Sequence, residues 1–406
     1  MRFTHTADCH IGGHRDSRLK QLTEDAFTKY VDDTIAKQVD FTIIAGDLFN
    51  TAIPGIDTLK FTVTQLQRLK QNNIPVYAIP GSHDFSPNGK TMLDVLEEAE
   101  LLINVCKGTV TEDNKLKLSF TQDKKTKVKL TGVIGKKGML DRQIYEELDQ
   151  SISNEIGFKI FLFHTSITEL KADHLEQMQS YPVSFLPKNF DYYAGGHVHI
   201  VEHYNEPNYK NVIYPGPLFP NSFSELEKLQ HGGYYLYDDG KIIYIPISLK
   251  KVITINIDAK GIDSNALNHK LQTTLSNAQV DDTIVLLRIQ GMLENGSISN
   301  IAISENINSL EQRGAYIVLR NTSHLTTKEF EQIAISSHDS TNHLEERLIE
   351  EHKKDLELNK NDGSILARHL LQALSKEPQE GEKLADHQDR IAKEGLAILD
   401  AFTKNE

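Results

Sequence analysis

Five short clusters in this chain bring together imidazole, carboxylate and glycine: Asp8-Cys9-His10, Gly46-Asp47, Gly81-Ser82-His83-Asp84, Phe163-His164 and Gly195-Gly196-His197-Val198-His199. Imidazole nitrogen mixed with carboxylate oxygen suits borderline divalent metals such as Mn, Fe or Zn, whereas an all-oxygen set favours Mg or Ca. So many donors are too many for one open catalytic ion. They suit two ions about 3.5 to 4 Å apart, bridged by a shared carboxylate, the arrangement that activates water and stabilises the attacking and leaving oxygens of phosphoryl transfer. Asp47, central in the order, is the candidate bridge. Each cluster alone is a weak signal, because a DxH triplet or a GD pair arises by chance in many chains. Five of them in order, each at the end of an apolar run, would need five coincidences.

Those apolar runs read as strands, and the loops beyond the carboxyl ends of strands in an α/β sheet gather at one edge. Asp25 to Lys37 has helical spacing, with Ala26, Phe27, Tyr30, Val31 and Ile35 on one face, and leads into a strand over Phe41 to Ala45. A second such unit runs from Leu59 through Leu69 into Val76 to Ile79. Further strands are expected at Lys159 to Phe163 and Asp191 to Ala194, and a Lys-faced hairpin over Lys115 to Val133. The first layer is therefore α/β, with a mixed sheet or sandwich over residues 1–250. Near Lys250 the pattern restarts as a small mixed α/β module, residues 251–325. A charged helical linker follows over 326–363, and a helical appendage over 364–406. In the appendage Ile365, Leu366, Leu370, Leu371 and Leu374 form one apolar stripe, and Ile391, Leu396, Ile398, Leu399 and Phe402 another, as in a partner-binding helix pair.

Lys plus Arg number 44 against 57 Asp plus Glu, a net charge of -13, so any nucleic-acid contact must be local rather than driven by the overall field. The densest basic stretch is Lys115, Lys117, Lys124, Lys125, Lys127, Lys129, Lys136 and Lys137. It could track a phosphate backbone, but charged strand edges more often guard against aggregation. Two cysteines, Cys9 and Cys106, exclude a disulfide framework. The opening MRFTHTADCH has neither a long apolar core nor a small-residue cleavage site, and no run approaches a membrane span, so a cytoplasmic protein is expected. Cys9 falls between two candidate ligands, and strand alternation points its side chain away from them into the core.

The motifs match the pattern DxH, GD, GNH(D/E), H and GHxH of the calcineurin-like metallophosphoesterase superfamily. More closely, FTHTADCHIGG, AGDLFNTAIP, YAIPGSHDFSPNGKTMLDVLEEAEL, LFHTSITEL and GGHVHI followed by YPGPLFPNSFSELE resemble the double-strand-break repair nucleases of the meiotic recombination eleven / SbcD family. The resemblance covers the first 250 residues. It implies a four-layer metallophosphoesterase sandwich, two mixed sheets flanked by helices, with a small capping or DNA-recognition domain. It also implies a C-terminal helix-loop-helix that binds an SMC-like coiled-coil ATPase. Two divalent metals, Mn(II) above all, are implied. One would be held by Asp8, His10, Asp47 and His199, the other by Asp47, His164 and His197, with Ser82 at the position of a further ligand. His83 would stabilise or protonate the leaving oxygen, with Asp84 orienting its ring, and His5 would lie buried beneath the site. DNA as substrate, a homodimer and association with the nucleoid when DNA is bound follow from the same likeness.

Two positions depart from the family. Ser82 stands where Asn is usual, and a hydroxyl is a poorer donor than an amide carbonyl, which predicts a weaker second metal completed by water. Asn50 stands where His is frequent after DLF and cannot transfer a proton, which predicts loss of exonuclease before endonuclease activity. Asn50, together with the turn at Tyr214, Pro215, Gly216 and Pro217, supplies the candidate substrate contacts, against the plainer reading of that turn as structural. The expected function is a Mn-dependent DNA endo/exonuclease. The alternatives are a phosphatase or cyclic-nucleotide phosphodiesterase on the same metal pair, or a non-catalytic DNA-end scaffold.

Overall fold

The computed structural model describes residues 1–85, 89–136, 141–171, 179–328, 362–374, 376 and 384–403. They form two compact units, Met1–Thr327 and Lys328–Glu406. In chain order the first unit starts with strand β1 (Arg2–Thr6), helix α1 (Ser17–Ala36), β2 (Phe41–Ala45), α2 (Ile56–Gln71), β3 (Val76–Ile79), α3 (Met92–Glu98) and β4 (Ile103–Asn104). Next come β5 (Gly108–Val110), β6 (Leu116–Leu118), β7 (Thr121–Gln122), β8 (Lys129–Gly132), α4 (Arg142–Glu146), β9 (Lys159–His164), β10 (Tyr192–Gly196), β11 (Val201–Glu206) and β12 (Tyr209–Pro215). Helix α5 (Phe223–Leu229), β13 (Gly232–Asp238) and β14 (Lys241–Ile247) close this part. A smaller module then holds β15 (Lys251–Asp258), α6 (Ser264–Ser276), β16 (Thr283–Leu293), α7 (Ile303–Gln312), β17 (Ile317–Asn321) and β18 (Leu325–Thr327).

Two six-stranded mixed sheets face each other, in the orders β14-β13-β1-β2-β3-β4 and β11-β12-β10-β9-β8-β7. Strands β1 to β4 run parallel, as do β8, β9, β10 and β12. Alternation along each strand explains the sandwich. In β2, Phe41, Ile43 and Ala45 enter the layer between the sheets with Phe3, Tyr77, Ile160, Leu162 and Tyr192. Ile44 points the other way, beneath α1 and α2 among Phe27, Val31, Leu66 and Leu69. Phe3 stacks between Phe41 and Tyr237 at centroid separations of 4.9 and 4.7 Å. All three rings are buried, and truncating Phe41 to Ala would cost about 3–5 kcal/mol. The outer face of the second sheet is covered by α4 and short turns carrying Tyr145, Leu148, Ile152 and Val183, a thinner layer than the helices opposite.

Helix α1 begins where Asp16 accepts from the Arg18 N–H at 2.8 Å, a cap that stabilises by about 1 kcal/mol. The Lys-rich stretch forms two short pairings, β5 with β6 and β7 with β8, instead of one hairpin. The chain turns back at Lys124 to Lys127 around Asp123, which accepts from the Lys125 and Thr126 N–H groups. Its lysines face acids: Lys125 sits 2.7 Å from Asp40, and Lys129 pairs with Glu155. Lys137 lies outside the described residues.

The small module has its own parallel sheet, β15-β16-β17 with β18 also on β16, and its own core around Leu271, Leu287 and Ile289. It nonetheless belongs to the same compact unit as the sandwich, because Val252, Ile284, Leu286 and Ile317 enter the core under α1 and α5. Arg18 also reaches Glu311 at 2.8 Å. In the second unit α8 (Asp362–Leu374) and α9 (Leu384–Thr403) pack on one another, tied by Lys376 and Glu394 at 2.7 Å. Leu371, Leu374, Leu396 and Leu399 are exposed. Most of the charged linker, and the side chains of Ile365 and Phe402, lie outside the described residues. Among the described residues no helix is long and apolar enough to cross a membrane.

Candidate metal centre

All five clusters sit at carboxyl ends of parallel strands: Asp8 after β1, Asp47 after β2, Ser82 and His83 after β3, His164 closing β9, and His197 and His199 after β10. The strands splay the chain to one rim, and the backbone then turns sharply to aim each side chain inward. Asp8, His10, Asp47 and His197 all take left-handed conformations, with φ of 50°, 44°, 52° and 93°. Such conformations cost non-glycine residues about 1–3 kcal/mol each, and their concentration at one rim marks a functional site. Glycines supply the closeness. A Cβ on Gly81 would lie 2.3 Å from Asp47, and one on Gly196 would lie 2.3 Å from the Ala45 carbonyl.

The side chains converge. His10 Nε2 lies 3.1 Å from His199 Nε2, and His199 Nε2 lies 3.7 Å from Asp8 Oδ1. His164 Nε2 stands 3.1 Å from Asp47 Oδ2 and 3.9 Å from Asp8 Oδ1, while His10 Nε2 is 3.8 Å from Asp47 Oδ2. Ser82 Oγ is 3.4 Å from the same Asp47 oxygen. The ligand atoms of Asp8, His10 and His199 form one group able to hold an ion, and those of Asp8, Asp47 and His164 another. Second partners fix the rings: His164 Nδ1 bonds the Ala45 carbonyl at 2.8 Å, which leaves Nε2 facing the carboxylates, buried and without a hydrogen bond. Two imidazole nitrogens 3.1 Å apart between two buried carboxylates, with an orphaned Nε2 beside them, are a donor set that fits cations.

The electrostatics agree with that fit. Burial opposes protonation of His164, but Asp47 and Asp8 outweigh it and hold the ring up at about 10. Asp47 shows the reverse: burial raises its pKa, yet His164 and His10 pull it well below the carboxylate range. Burial lowers His10 to about 3 and His197 to about 4, so both present neutral nitrogen lone pairs. Cations bound among these groups would replace the protons that now balance the carboxylates.

A family model described as calcineurin-like phosphoesterase matches residues 1–201. The chain is 24% identical over 304 residues to the protein of Archaeoglobus fulgidus named DNA double-strand break repair protein Mre11, covering 70% of this chain and 67% of that one. Proteins of the same name from Methanococcus maripaludis and Saccharolobus solfataricus are each 28% identical, over 253 and 272 residues. Those two alignments span 59 and 63% of this chain and 63 and 66% of the relatives, so the chain matches about two thirds of their length. Residues 1–201 thus match calcineurin-like phosphoesterases, and the chain is similar to proteins named Mre11 over about two thirds of their length.

Within this centre, one residue that the sequence motifs did not single out takes part. Glu225, in the first turn of α5, lies 3.1 Å from His199 Nδ1 and directs its Nε2 toward Asp8 and His10. Burial works against protonation of His199, but Glu225, Asp8 and Asp47 hold it up at about 9. The signal for Glu225 was present in SFSELE, where Ser222 caps a helix whose first turn it shares. Only the fold shows that this turn returns to the rim.

Of the other expectations, those for Asp84, Tyr214 and Gly216 need correction, while Cys9 and His5 are buried as expected. Asp84 does not orient His83: its buried carboxylate accepts from the N–H groups of Leu48, Phe49 and Gly81, tying the β2 and β3 loops together. His83 is held by Asn50, whose carbonyl lies 2.8 Å from Nδ1, and by its own N–H donating to Asp47 at 2.7 Å. Asn50 is thus beside the centre, with a backbone role. Tyr214 is fully buried, donating to the Thr165 carbonyl at 2.6 Å and accepting from the Ile167 N–H, so its side chain cannot touch a substrate. Gly216 has φ of 71° and lies against Ile200 and Val201, the conformation of a structural turn. Cys9 is buried core, its thiol pushed up by burial. His5 is fully buried, its Nδ1 3.0 Å from the Tyr192 hydroxyl, and burial lowers it to about 3.

Proposed function

We propose that this chain is the nuclease subunit of a DNA double-strand-break repair complex, a Mn-dependent endo/exonuclease that hydrolyses phosphodiesters at DNA ends. The observation that carries this reading is the convergence of Asp8, Asp47, His10, His164 and His199 on one rim, where His83 also comes together with His10 and Asp47. Asp8, His10, Asp47 and His199 would hold one ion, and Asp47, His164 and His197 a second, with Ser82 beside Asp47. When bound, such a pair polarises the phosphodiester and lowers the pKa of an attacking water.

The protein's own groups do the rest. Asn50 fixes His83 through Nδ1, which leaves Nε2 as the atom that gives a proton to the departing oxygen. Asp84 keeps the loops of Asp47 and His83 in register through its three N–H donors. The relatives' name, DNA double-strand break repair protein, supports DNA as the substrate. On the same family grounds residues 1–250 form the nuclease domain and 251–325 a capping, DNA-recognition domain. Residues 326–363 then act as a linker, and 364–406 as the helix pair that binds an SMC-like ATPase, in a homodimer that works in the cytoplasm on nucleoid DNA.

The test is cleavage of a single-stranded circle and of a labelled blunt duplex with Mn and with Mg. Mn-dependent cutting of either establishes the nuclease, and cutting of the circle alone ties the lost exonuclease activity to Asn50. Mn binding without cutting of either substrate overturns the proposal in favour of a DNA-end scaffold. Hydrolysis of phosphomonoesters alone overturns it in favour of a phosphatase.

A further inference from the structure

Helix α5 lies between the metal centre and the small module, and it is bonded to both. On one side Glu225 reaches His199 Nδ1 at 3.1 Å. Two residues on, Glu227 accepts from Arg288 of β16, at 3.0 Å from Nε and 2.5 Å from Nη2. At 3.6 residues per turn, two positions apart means about 200° around the axis, so the two carboxylates face opposite ways. The Arg288 guanidinium also lies over the Phe223 ring at 5.0 Å. Between them Leu226 is fully buried in the core that includes Val252, Ile284, Leu286 and Ile317 of the module.

This helix has little slack. It is seven residues long, its start is fixed by Ser222 accepting from the Glu225 N–H, and its end closes at Gln230 in a left-handed conformation. The Glu227–Arg288 pair is bidentate and mostly shielded, with side chains 25% and 17% exposed, and a planar fork of that kind fixes direction as well as distance. A shift of β16 therefore carries α5 with it, and a rotation of α5 moves the Glu225 carboxylate off His199.

We propose that Arg288 is a positioning residue for the metal centre: acting through Glu227 and α5, it sets the place of Glu225 and hence the orientation of the His199 ring. The proposal rests on His199 being a ligand, as read above. It makes the small module a structural input to the metal site, so that whatever moves the module changes how tightly His199 holds its ion.

Two readouts in the absence of substrate test it: Mn affinity by titration calorimetry, and the imidazole ¹⁵N resonances of His199 in the metal-free protein. Glu225→Gln should weaken Mn binding by about 10–100-fold, the usual effect of removing a carboxylate behind a ligating His. Arg288→Ala and Glu227→Gln should each weaken it by a smaller factor, about tenfold or less, and move the His199 resonances in the same direction. The exchanged pair Glu227→Arg with Arg288→Glu should restore both readouts. Native affinity and native resonances in Arg288→Ala and Glu227→Gln would overturn the proposal, as would a loss that the exchange leaves unrepaired. Glu227→Gln is nearly isosteric and serves if Arg288→Ala does not fold. Because neither readout uses DNA, absence of nuclease activity leaves this test intact.

Discussion

The first unit holds a sandwich of two mixed sheets and a small module on a parallel sheet of its own, and only the sandwich ends in chemistry. At the rim of the sandwich, left-handed backbone is carried by Asp8, His10, Asp47 and His197, and the buried polar residues include Asp8, His10, Asp47, Asp84 and His164. In residues 251–327 left-handed positions fall on Gly261, Gly291, Gly296 and Gly314, with the exposed Asp282 as the one other residue type described. The buried polar residues there are Ser264, Thr283 and Thr327, none of them ionisable at neutral pH. The module turns with glycine at no steric cost, as a part selected for packing does. The sandwich accepts strain and buried charge at one rim because the donors must stand there, and its cores provide the stability to bear it.

The largest expected effect breaks that rim at its centre. Asp47→Ala removes the carboxylate that His10, His164, Ser82 and the His83 N–H all approach, and should cut Mn-dependent cleavage by at least about a hundredfold while sharply reducing Mn uptake. Retention of both in a cleavage assay and a metal titration would refute the bridge. Next, His83→Ala should leave Mn affinity near native but slow cleavage by about 10²–10⁴, the range for loss of a general acid. Parallel losses of binding and rate would make His83 a ligand instead.

Much of this contrast was legible in the chain, and its limits are physical. The strands of β2 and β3 and the end of β9 could be read because apolar runs stop where Gly-Asp or His begins, and side-chain type alone picked out residues that meet at the rim. Local pattern carries no long-range partners, so the pairing of Glu225 with His199, 26 positions apart, was invisible. So was the capture of His83 by a backbone carbonyl, since every residue has one. The Lys115 to Val133 stretch misled because alternation does not say which strand is the partner, and the fold splits it between two pairings. Tyr214 misled because nearness in sequence to the last cluster is not nearness of the side chain.

A gain would sharpen the comparison further. Ser82 Oγ stands 3.4 Å from Asp47 Oδ2, close enough to feel an ion there but with a weak donor. Ser82→Asn should tighten the weaker Mn site by no more than about tenfold, the low end of what tuning a site's surroundings achieves. A Mn titration resolving two binding events checks this. Identical isotherms for the two proteins would remove Ser82 from any role in the second site.

The smallest effect separates the strained rim from the neutral packing beneath it. His5 is fully buried under the site, and burial lowers its pKa from 6.5 to about 3. Between those values the unfolded chain binds a proton that the folded chain refuses, so stability is lost as pH falls from about 6.5 towards 3. The slope from one such group is at most about 1.4 kcal/mol per pH unit. His5→Gln keeps an acceptor within reach of the Tyr192 hydroxyl but does not titrate, so its urea stability should fall less steeply by about that amount between pH 6 and pH 4. Measured with chelator present, so that release of metal adds nothing, parallel stability curves for the native chain and His5→Gln would show that His5 is protonated in the folded state. The buried charge would then extend one layer deeper than the rim.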